Sequence, residues 1–387
     1  MLVAFGLVGI FYFCLLQCLA EMSAAIPSSG AGQAFAAEAF GPVAGFVAGA
    51  AALVQWVCGS AALAVLLALY AHALTGIDTE VIITVIYVVL VGILLTGAGE
   101  AMLLTLFVSL LAVAGVAVFA SYTGSAITVG SFAGLQLSGL GTSGIWLALP
   151  FAVTFFLGLE GVPFAAEEAK NPGRDVPIGL LLSLLLVVVT GSLVLILGPA
   201  GVGLESLSGS EQPILAGLSA PRVGALPIVG QLVTIAAVLG LTSCLFSSIY
   251  AYSRQVFAMA RDEELPKFLS HLNKRGAPAA ALIIPSLISM AVALTGALNQ
   301  VIVVMVFSAC LSYATMFASF IGLRRHKPSL PRPYKVRLGW LVVTVGLCLG
   351  TVIFAACVAS DPRWSAIGGG MFAALLLYRV AIYYKAR

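Results

Sequence analysis

Long apolar segments, separated by short polar ones, make up most of this chain. A helix needs about 20 apolar residues to cross the hydrocarbon core of a bilayer. By that criterion the pattern predicts eleven membrane-spanning helices, at residues 2–20, 42–70, 80–96, 101–122, 145–162, 177–200, 226–252, 278–296, 300–322, 338–359 and 364–384. Several contain glycine or proline, which spanning helices tolerate where neighbours or water satisfy the backbone. We therefore predict an all-α membrane protein.

The composition strengthens this prediction. Of the 387 residues, 61% are hydrophobic and 9% are charged, whereas about 25% of the residues in a typical soluble domain are charged. Since so few charges cannot cover a surface that faces water, we expect the lipid bilayer to surround most of the chain. The net charge of +3 is too small to indicate a nucleic-acid partner.

Lysine and arginine are distributed unevenly between the predicted loops. If the helices alternate in direction, 16 of the 18 basic residues lie on one side, in loops 163–176, 254–275 and 323–337 and in the C-terminal tail. The other side holds only Arg222 and Arg363. Because basic loops stay in the cytoplasm, we expect a multi-pass protein of the cell (inner) membrane with a cytoplasmic C-terminus.

The most informative segment is 150–176. There an apolar span reaches Gly158, Glu160, Gly161 and Pro163 within six residues. Glycine and proline weaken helical hydrogen bonding, and broken membrane helices expose backbone groups near the midplane that can bind a substrate. A carboxylate inside a span is costly unless it is paired or hydrated, and Glu160 is the only ionisable residue that we place well inside a predicted span. It could pair with a cationic amine, carry a coupling proton, or be a structural carboxylate bonded to nearby backbone.

Three motifs resemble those of one transporter family. The run Phe155–Gly161, followed by Glu167-Glu168-Ala169-Lys170-Asn171-Pro172, is similar to the sixth helix and next loop of the amino acid–polyamine–organocation superfamily. Within that superfamily these sequence motifs are most similar to those of the ethanolamine permease branch. Tyr252–Asp262 with Leu265-Pro266 resembles the end of the family's eighth helix, and Ala20–Gly30 resembles the end of its second. One departure is Gly30-Ala31-Gly32-Gln33, where the family usually has Gly-Gly-x-Tyr, so gating or packing in this loop is expected to differ.

The resemblance implies a fold of two inverted five-helix repeats and a C-terminal helix pair. On that basis the chain is a single transporter domain, 1–387, in which 145–323 is a full second repeat and 338–385 is the final pair. Residues 1–123 then form an incomplete first repeat of four helices. The family's broken first helix is expected before Met1, where it would restore twelve spans. A misplaced start codon or a truncated product would explain its absence.

The resemblance also implies a function, secondary active transport of a small amine by alternating access. Ethanolamine is the first choice of substrate and a neutral amino acid the second, with a proton or a sodium ion as the coupling ion. A truncated, non-transporting member of the family is a further alternative. In the expected motion, a bundle containing the sixth helix rocks against the third, fourth, eighth and ninth family helices.

The same resemblance assigns candidate residues. The substrate-binding candidates lie in and around the expected helix break: Thr154, Phe155, Phe156, Leu157, Gly158, Glu160 and Gly161. By the resemblance, backbone carbonyls near Thr154, Phe155 and Leu157 would accept hydrogen bonds from the amine. Ser247 and Ser248 are candidates for ion coupling, although serine in a spanning helix usually bonds to its own backbone. Trp56 and Tyr313 could line the site or serve only in packing.

Other classes of function lack the residues that they need. His72, His271 and His326 all fall in predicted loops, and the chain contains neither a H-E-x-x-H motif nor a Walker-type Gly-x-x-x-x-Gly-Lys. We therefore predict that the protein is not an enzyme, and we expect neither a metal nor a cofactor. A channel or a transporter-like sensor remains an alternative. A channel could not concentrate a solute, and sensors of this fold usually add a soluble output domain.

Overall fold

The computed structural model describes residues 1–97, 99–128, 131, 142–203, 207 and 213–385. Arg387, counted above among the basic residues of the tail, lies outside them. The described residues form helices and no strand. The α-helices are α1 Leu2–Ala25, α2 Gly32–Phe40, α3 Pro42–Thr75, α4 Thr79–Thr96, α5 Gly99–Ser125, α6 Thr142–Val153, α7 Pro172–Val202, α8 Pro213–Ser219, α9 Pro227–Arg261, α10 Ala279–Ala293, α11 Leu298–His326, α12 Gly339–Ser360 and α13 Pro362–Lys385. Two 3₁₀ helices are Leu159–Glu168 and Lys267–Ser270.

Every predicted span coincides with a helix, but the segment 145–162 is not one continuous helix. Its α-helix, α6, ends at Val153, and a turn leads from there into the 3₁₀ helix Leu159–Glu168. Among the described residues, eight helices are long and apolar enough to cross a membrane: α1, α3, α4, α5, α7, α9, α11 and α12. α6 and α10 are apolar but shorter. The count of eleven spans and the inverted-repeat arrangement therefore stay predictions.

Helices α3 and α11 lie at the centre of the bundle. In each, 72% of the most apolar stretch is buried, against 17% in the peripheral helices α5 and α7. Small residues let the central helices approach their neighbours closely. A methyl group at Gly45 of α3 would lie 2.8 Å from Cβ of Ala37, and one at Gly49 would lie 2.9 Å from Sδ of Met259. The peripheral helices instead expose leucine, valine and phenylalanine side chains, as expected of surfaces that face lipid.

One end of the bundle carries most of the basic side chains, and we call it the basic end. A buried ion-pair cluster fastens it. Glu21, near the end of α1, is 2% exposed and accepts two hydrogen bonds from the Arg324 guanidinium of α11, at 2.9 Å and 2.5 Å. Arg332 Nε lies 3.2 Å from the same carboxylate, and the Val336 amide donates to it at 2.8 Å. This cluster ties α1 to α11 and to the loop that follows α11.

A second set of contacts at the basic end joins the loop before α2 to the segment after the helix break. The Glu167 carboxylate accepts hydrogen bonds from the Ser29 amide at 2.9 Å and from the Ser29 hydroxyl at 3.0 Å. Partial burial raises the pKa of Glu167, but these bonds and the nearby Arg261 guanidinium together hold it below its usual range. Next to it, Glu168 pairs with Arg254 and accepts from Tyr250 at 2.7 Å.

A third contact involves two carboxyl groups that share one amide. Gln33 Nε2 of α2 donates to Glu264 at 2.8 Å and to Asp262 at 3.1 Å. The Glu264 side chain lies just beyond the end of α9 and is 2% exposed. Burial raises the pKa of Glu264 to about 7; Arg379 opposes this shift, and the Asp262 charge adds to it.

This pKa predicts a stability that falls with pH. In the unfolded chain Glu264 ionises near its usual pKa of about 4.3, whereas the folded group keeps its proton up to about pH 7. Between those values the unfolded state binds fewer protons, so the free energy of unfolding decreases as pH rises and levels off above pH 7. We expect Glu264→Gln to flatten this slope and to raise the thermal midpoint in detergent at alkaline pH. The gain should be on the order of 4 kcal/mol at most.

The neighbouring Glu263 supplies the control. Its side chain is 70% exposed, so Glu263→Gln should leave the pH dependence of unfolding almost unchanged. If Glu264→Gln has the same pH slope as the parent protein between pH 5 and pH 8, the buried carboxyl is not the group that causes it.

Candidate functional site

The backbone break in the segment after α6 forms the candidate site. α6 contains Pro150 and ends at Val153, four turn residues follow, and Gly158 takes a φ of +104°. That region of backbone conformation is open to glycine and costly for other residues. The 3₁₀ helix then runs from Leu159 through Glu160 and Pro163. The interruption expected from the glycine and proline pattern is therefore present.

The break leaves backbone carbonyls without their helical partners, among them those of Thr154 and Phe155. The amides that could bond to them are occupied elsewhere: that of Leu157 donates to the Val153 carbonyl at 3.1 Å, and that of Leu159 donates to the Phe156 carbonyl at 3.3 Å. The amide of Gly158 donates to the Glu160 carboxylate at 3.2 Å. Among the described residues, the carbonyls of Thr154 and Phe155 thus accept no hydrogen bond from these amides, and they can accept from a ligand.

Glu160 lies at the centre of a buried hydrogen-bond network. It is 2% exposed, and its carboxylate accepts from the Tyr313 hydroxyl of α11 at 2.7 Å and from Gln55 Nε2 of α3. Gln55 Nε2 also donates to the Tyr313 oxygen at 3.1 Å, and the Tyr12 hydroxyl of α1 lies 2.8 Å from that oxygen. Gln55 of α3 and Tyr313 of α11 therefore meet at the Glu160 carboxylate, and α1 joins the network through Tyr313.

The network can stabilise a buried negative charge. Its described partners are hydroxyl, amide and backbone N–H donors, and no lysine or arginine is among them. Burying a charge in the membrane interior is expensive unless it is paired or hydrogen-bonded. In addition, Gln55 Oε1 is buried and has no hydrogen-bond partner. This unpaired acceptor next to a carboxylate can accept a donor from a ligand, and a primary ammonium group carries three donors.

Aromatic rings enclose the network. Phe156 is fully buried and lies between Tyr12 and Phe5, with ring centroids 5.2 Å and 4.8 Å away. Phe155 meets Phe5 edge to face at 5.4 Å. On the other side the Trp56 ring packs against Phe164 at 5.8 Å.

Trp56 also covers the backbone at Gly161. A methyl group at Gly161 would lie 3.0 Å from Cη2 of Trp56, which is closer than ordinary side-chain contacts. The absence of a side chain at Gly161 is therefore what lets the indole approach the segment that carries Glu160.

The candidate residues from the sequence thus divide into three groups. Phe156, Glu160 and Gly161 lie in or against the buried network, and Thr154 and Phe155 contribute the available carbonyls. Leu157 packs against the core, and Gly158 positions the Glu160 carboxylate through its amide. Trp56 and Tyr313, which could have served only in packing, both contact this segment.

The two serines proposed for ion coupling have no described contact with the hydrogen-bond network around Glu160. Ser248 donates to the carbonyl of Cys244 at 2.9 Å, the backbone bond that serine in a spanning helix usually makes. Ser247 is exposed on α9. Neither has a described contact with Glu160, so the structure offers no direct link between these hydroxyls and the carboxylate.

Two members of the hydrogen-bond network around Glu160 were not identified from the sequence. Gln55 lies in the predicted span 42–70, where an uncharged amide among apolar residues is a weak signal for a buried polar contact. Tyr12 lies in the predicted span 2–20, and nothing in the surrounding sequence sets it apart. In the described part of the chain, no group of three or more His, Cys, Asp or Glu side chains could hold a metal ion.

The two glycines give a prediction that separates backbone strain from crowding. Gly158→Ala forces a residue with a Cβ into a left-handed conformation, which costs about 1–3 kcal/mol, while nothing lies within 4 Å of the added methyl group. Gly161→Ala leaves the backbone unstrained and displaces Trp56. We expect Gly158→Ala to lower both thermal stability and transport, and Gly161→Ala to lower transport with a smaller loss of stability.

Gly92→Ala in α4 is the matched control for both. It adds a methyl group with no atom within 4 Å, in a helix outside the site, and both properties should be preserved. Parental transport by Gly161→Ala would show that the Trp56 contact is dispensable.

These features define a class of protein: a helical bundle with lipid-facing apolar helices and an interrupted helix that holds a buried carboxylate. The sequence model of the amino acid permease family matches residues 1–381, and the chain belongs to this family. It is therefore a multi-pass membrane protein of a transporter family and not an enzyme.

Individual relatives agree with this family. The chain is 26% identical to the branched-chain amino acid permease BcaP of Bacillus subtilis over 56% of its length and 50% of the relative's. It is 26% identical to the gamma-aminobutyric acid permease of Bacillus subtilis, over 73% of its length and 62% of the relative's. It is 24% identical to the amino-acid permease GAP6 of Candida albicans, over 92% of its length and 67% of the relative's. The chain spans about half the length of the first of these relatives.

Proposed function

We propose that the protein is a secondary active permease that moves a small primary amine across the membrane by alternating access. The observation that carries this proposal is the clustering of acceptors at the helix break. The Glu160 carboxylate, the unpaired Gln55 Oε1 and the Thr154 and Phe155 carbonyls all belong to or adjoin one interrupted segment. Such a set suits an ammonium group, which donates three hydrogen bonds and carries a positive charge.

Two substrates satisfy this requirement, ethanolamine and a neutral amino acid. They share the ammonium and differ in the carboxylate. A substrate carboxylate would be expected to pair with a cation. The described partners of Glu160 include no lysine or arginine, which supports ethanolamine. The names of the relatives, a branched-chain amino acid permease and a gamma-aminobutyric acid permease, support an amino acid.

Buried hydroxyl contacts support a rigid scaffold for the proposed motion. The Ser289 hydroxyl of α10 lies 2.6 Å from that of Ser60 in α3 and 2.5 Å from that of Tyr87 in α4. Tyr252 of α9 contacts the Ser286 hydroxyl of α10 at 2.5 Å. These bonds connect the four helices that we assign to the scaffold, α3, α4, α9 and α10. Glu160 would move relative to them with the interrupted segment.

The coupling ion that we favour is a proton. Glu160 is a carboxyl group in the bundle interior that can bind one, whereas the Ser248 hydroxyl already donates to its own helix. We also propose that the basic end faces the cytoplasm of the cell (inner) membrane, because basic loops are retained there. This places the C-terminus inside.

The experiment is uptake into proteoliposomes with an imposed proton or sodium gradient. Labelled ethanolamine, leucine and gamma-aminobutyric acid are compared, with collapse of the gradient by an ionophore as the control. Accumulation of one compound above its external concentration, lost with the ionophore, supports coupled transport of that compound. Equilibration without accumulation would indicate a channel, and no uptake of any amine would support the non-transporting alternative.

A further inference from the structure

Six of the described cations at the basic end have a carboxylate partner. Glu21 pairs with Arg324 and Arg332, and four further ion pairs join Arg254 to Glu168, Arg261 to Glu167, Lys267 to Glu263 and Lys327 to Glu38. Arg325, Lys335 and Arg337 are among the cations at this end that have none. All three are exposed, and none lies within 4.0 Å of a carboxylate oxygen in the described residues.

The buried cluster around Glu21 holds these three cations in place. The Val336 amide donates to Glu21, and the Val336 carbonyl accepts from Arg324 at 2.8 Å. Because Val336 is buried in this way, its two neighbours Lys335 and Arg337 point outward from a fastened backbone. Arg325 follows Arg324 directly on α11. The end of α11 and the loop that follows it therefore hold the backbone of the three cations in place.

The same region is continuous with a lipid-facing surface. Trp340 at the start of α12 is 52% exposed, and Leu338 and Leu341 beside it are 66% and 59% exposed. The Arg325 guanidinium lies 5.3 Å from the centroid of the Trp340 ring, a cation–π distance. Tryptophan is typical of the boundary between headgroups and acyl chains. Arg325 thus borders an exposed indole at the start of α12, and Lys335 and Arg337 lie in the segment that leads directly into that helix.

We propose that Arg325, Lys335, Arg337 and Trp340 form a binding site for the headgroup of an anionic phospholipid. The guanidinium groups suit phosphate oxygens, because their N–H donors match phosphate geometry. Trp340 and the leucines accommodate the start of the acyl chains. A soluble acidic peptide or a free phosphate would satisfy the cations but would leave this apolar part uncovered. The inference is independent of the transported substrate.

Quenching of Trp340 fluorescence by brominated lipids tests the proposal. The protein is placed in phosphatidylcholine nanodiscs that contain a small fraction of brominated phosphatidylglycerol or of brominated phosphatidylcholine. The Trp340 signal is obtained by subtracting the Trp340→Phe variant, which removes the contribution of the other tryptophans. Each basic residue near a membrane contributes about a fivefold preference for anionic lipid. We therefore expect brominated phosphatidylglycerol to reach half-maximal quenching at a lipid fraction at least roughly tenfold lower than brominated phosphatidylcholine requires.

Two variants show where the preference originates. Replacing all three cations with glutamine (Arg325→Gln, Lys335→Gln, Arg337→Gln) should bring the two lipids to equal quenching. The control, Lys170→Gln with Arg174→Gln, removes two basic residues elsewhere at the same end and should keep the preference. Both variants change only residues outside the buried cluster, and a retained thermal midpoint confirms that they fold.

Three outcomes would overturn the proposal. The parent protein could show equal quenching by both lipids, or the preference could survive in the triple variant. Alternatively, soluble glycerol phosphate could displace the brominated phosphatidylglycerol and restore Trp340 fluorescence fully. That result would assign the site to a free phosphate. Retention of phosphatidylglycerol by the parent protein, and not by the triple variant, in native mass spectrometry would support the lipid site by a second measurement.

Discussion

Glu160→Gln is expected to reduce uptake of a cationic amine by roughly 10- to 100-fold, because a hydrogen bond to a charged group is worth about 1.5–3 kcal/mol. The substitution keeps the size of the side chain and removes its charge. It also brings an amide donor among groups that already donate, namely Gln55, Tyr313 and the Gly158 amide. The measurement is initial uptake rate against substrate concentration in proteoliposomes.

Two further variants make this result specific. Glu38→Gln removes a carboxylate that is 44% exposed, and it should preserve uptake. Tyr313→Phe removes one donor to Glu160 and leaves the charge, so we expect a smaller loss than in Glu160→Gln. Since removal of a buried charge can stabilise a protein, reduced uptake by a stable Glu160→Gln protein would exclude misfolding as the cause. Unchanged uptake would remove Glu160 from the substrate and coupling site.

Glu21→Ala is expected to destabilise the protein by about 3–5 kcal/mol, the usual cost of breaking a buried ion pair. It leaves the Arg324 and Arg332 guanidinium groups, which are 15% and 11% exposed, without their shared carboxylate. The Val336 amide also loses its acceptor. We expect a clearly lower thermal midpoint in detergent and a lower yield of monodisperse protein.

The exposed pair Glu38–Lys327 is the matched control for this prediction. It joins α2 to the residue that directly follows α11, whereas the Glu21 cluster joins α1 to α11. The side chains of Glu38 and Lys327 are 44% and 41% exposed. Exposed ion pairs contribute about 0–1 kcal/mol, so Glu38→Ala should shift the midpoint only slightly. Equal effects of Glu21→Ala and Glu38→Ala would mean that burial of the Glu21 cluster does not determine its contribution.

The sequence by itself determined where the long apolar helices lie and where one of them breaks, whereas it predicted neither α2 nor α8. Both properties are local: a run of apolar residues predicts a helix in a membrane, and glycine and proline at 158–163 weaken one turn of it. The same local reasoning singled out Glu160, because a carboxylate among apolar residues is conspicuous without any knowledge of its neighbours.

Only the tertiary structure decided which side chains meet that carboxylate. Gln55 and Tyr313 lie 105 and 153 positions from Glu160 in the chain, and Glu21 lies 303 positions from Arg324. A helix that is apolar on all sides has no periodic pattern to show which face is buried, and in lipid the faces are chosen by close packing of small residues and by internal hydrogen bonds. The partners of Glu160, the backbone bond of Ser248 and the unpaired cations near Trp340 therefore follow from helix packing, which the order of residues does not display.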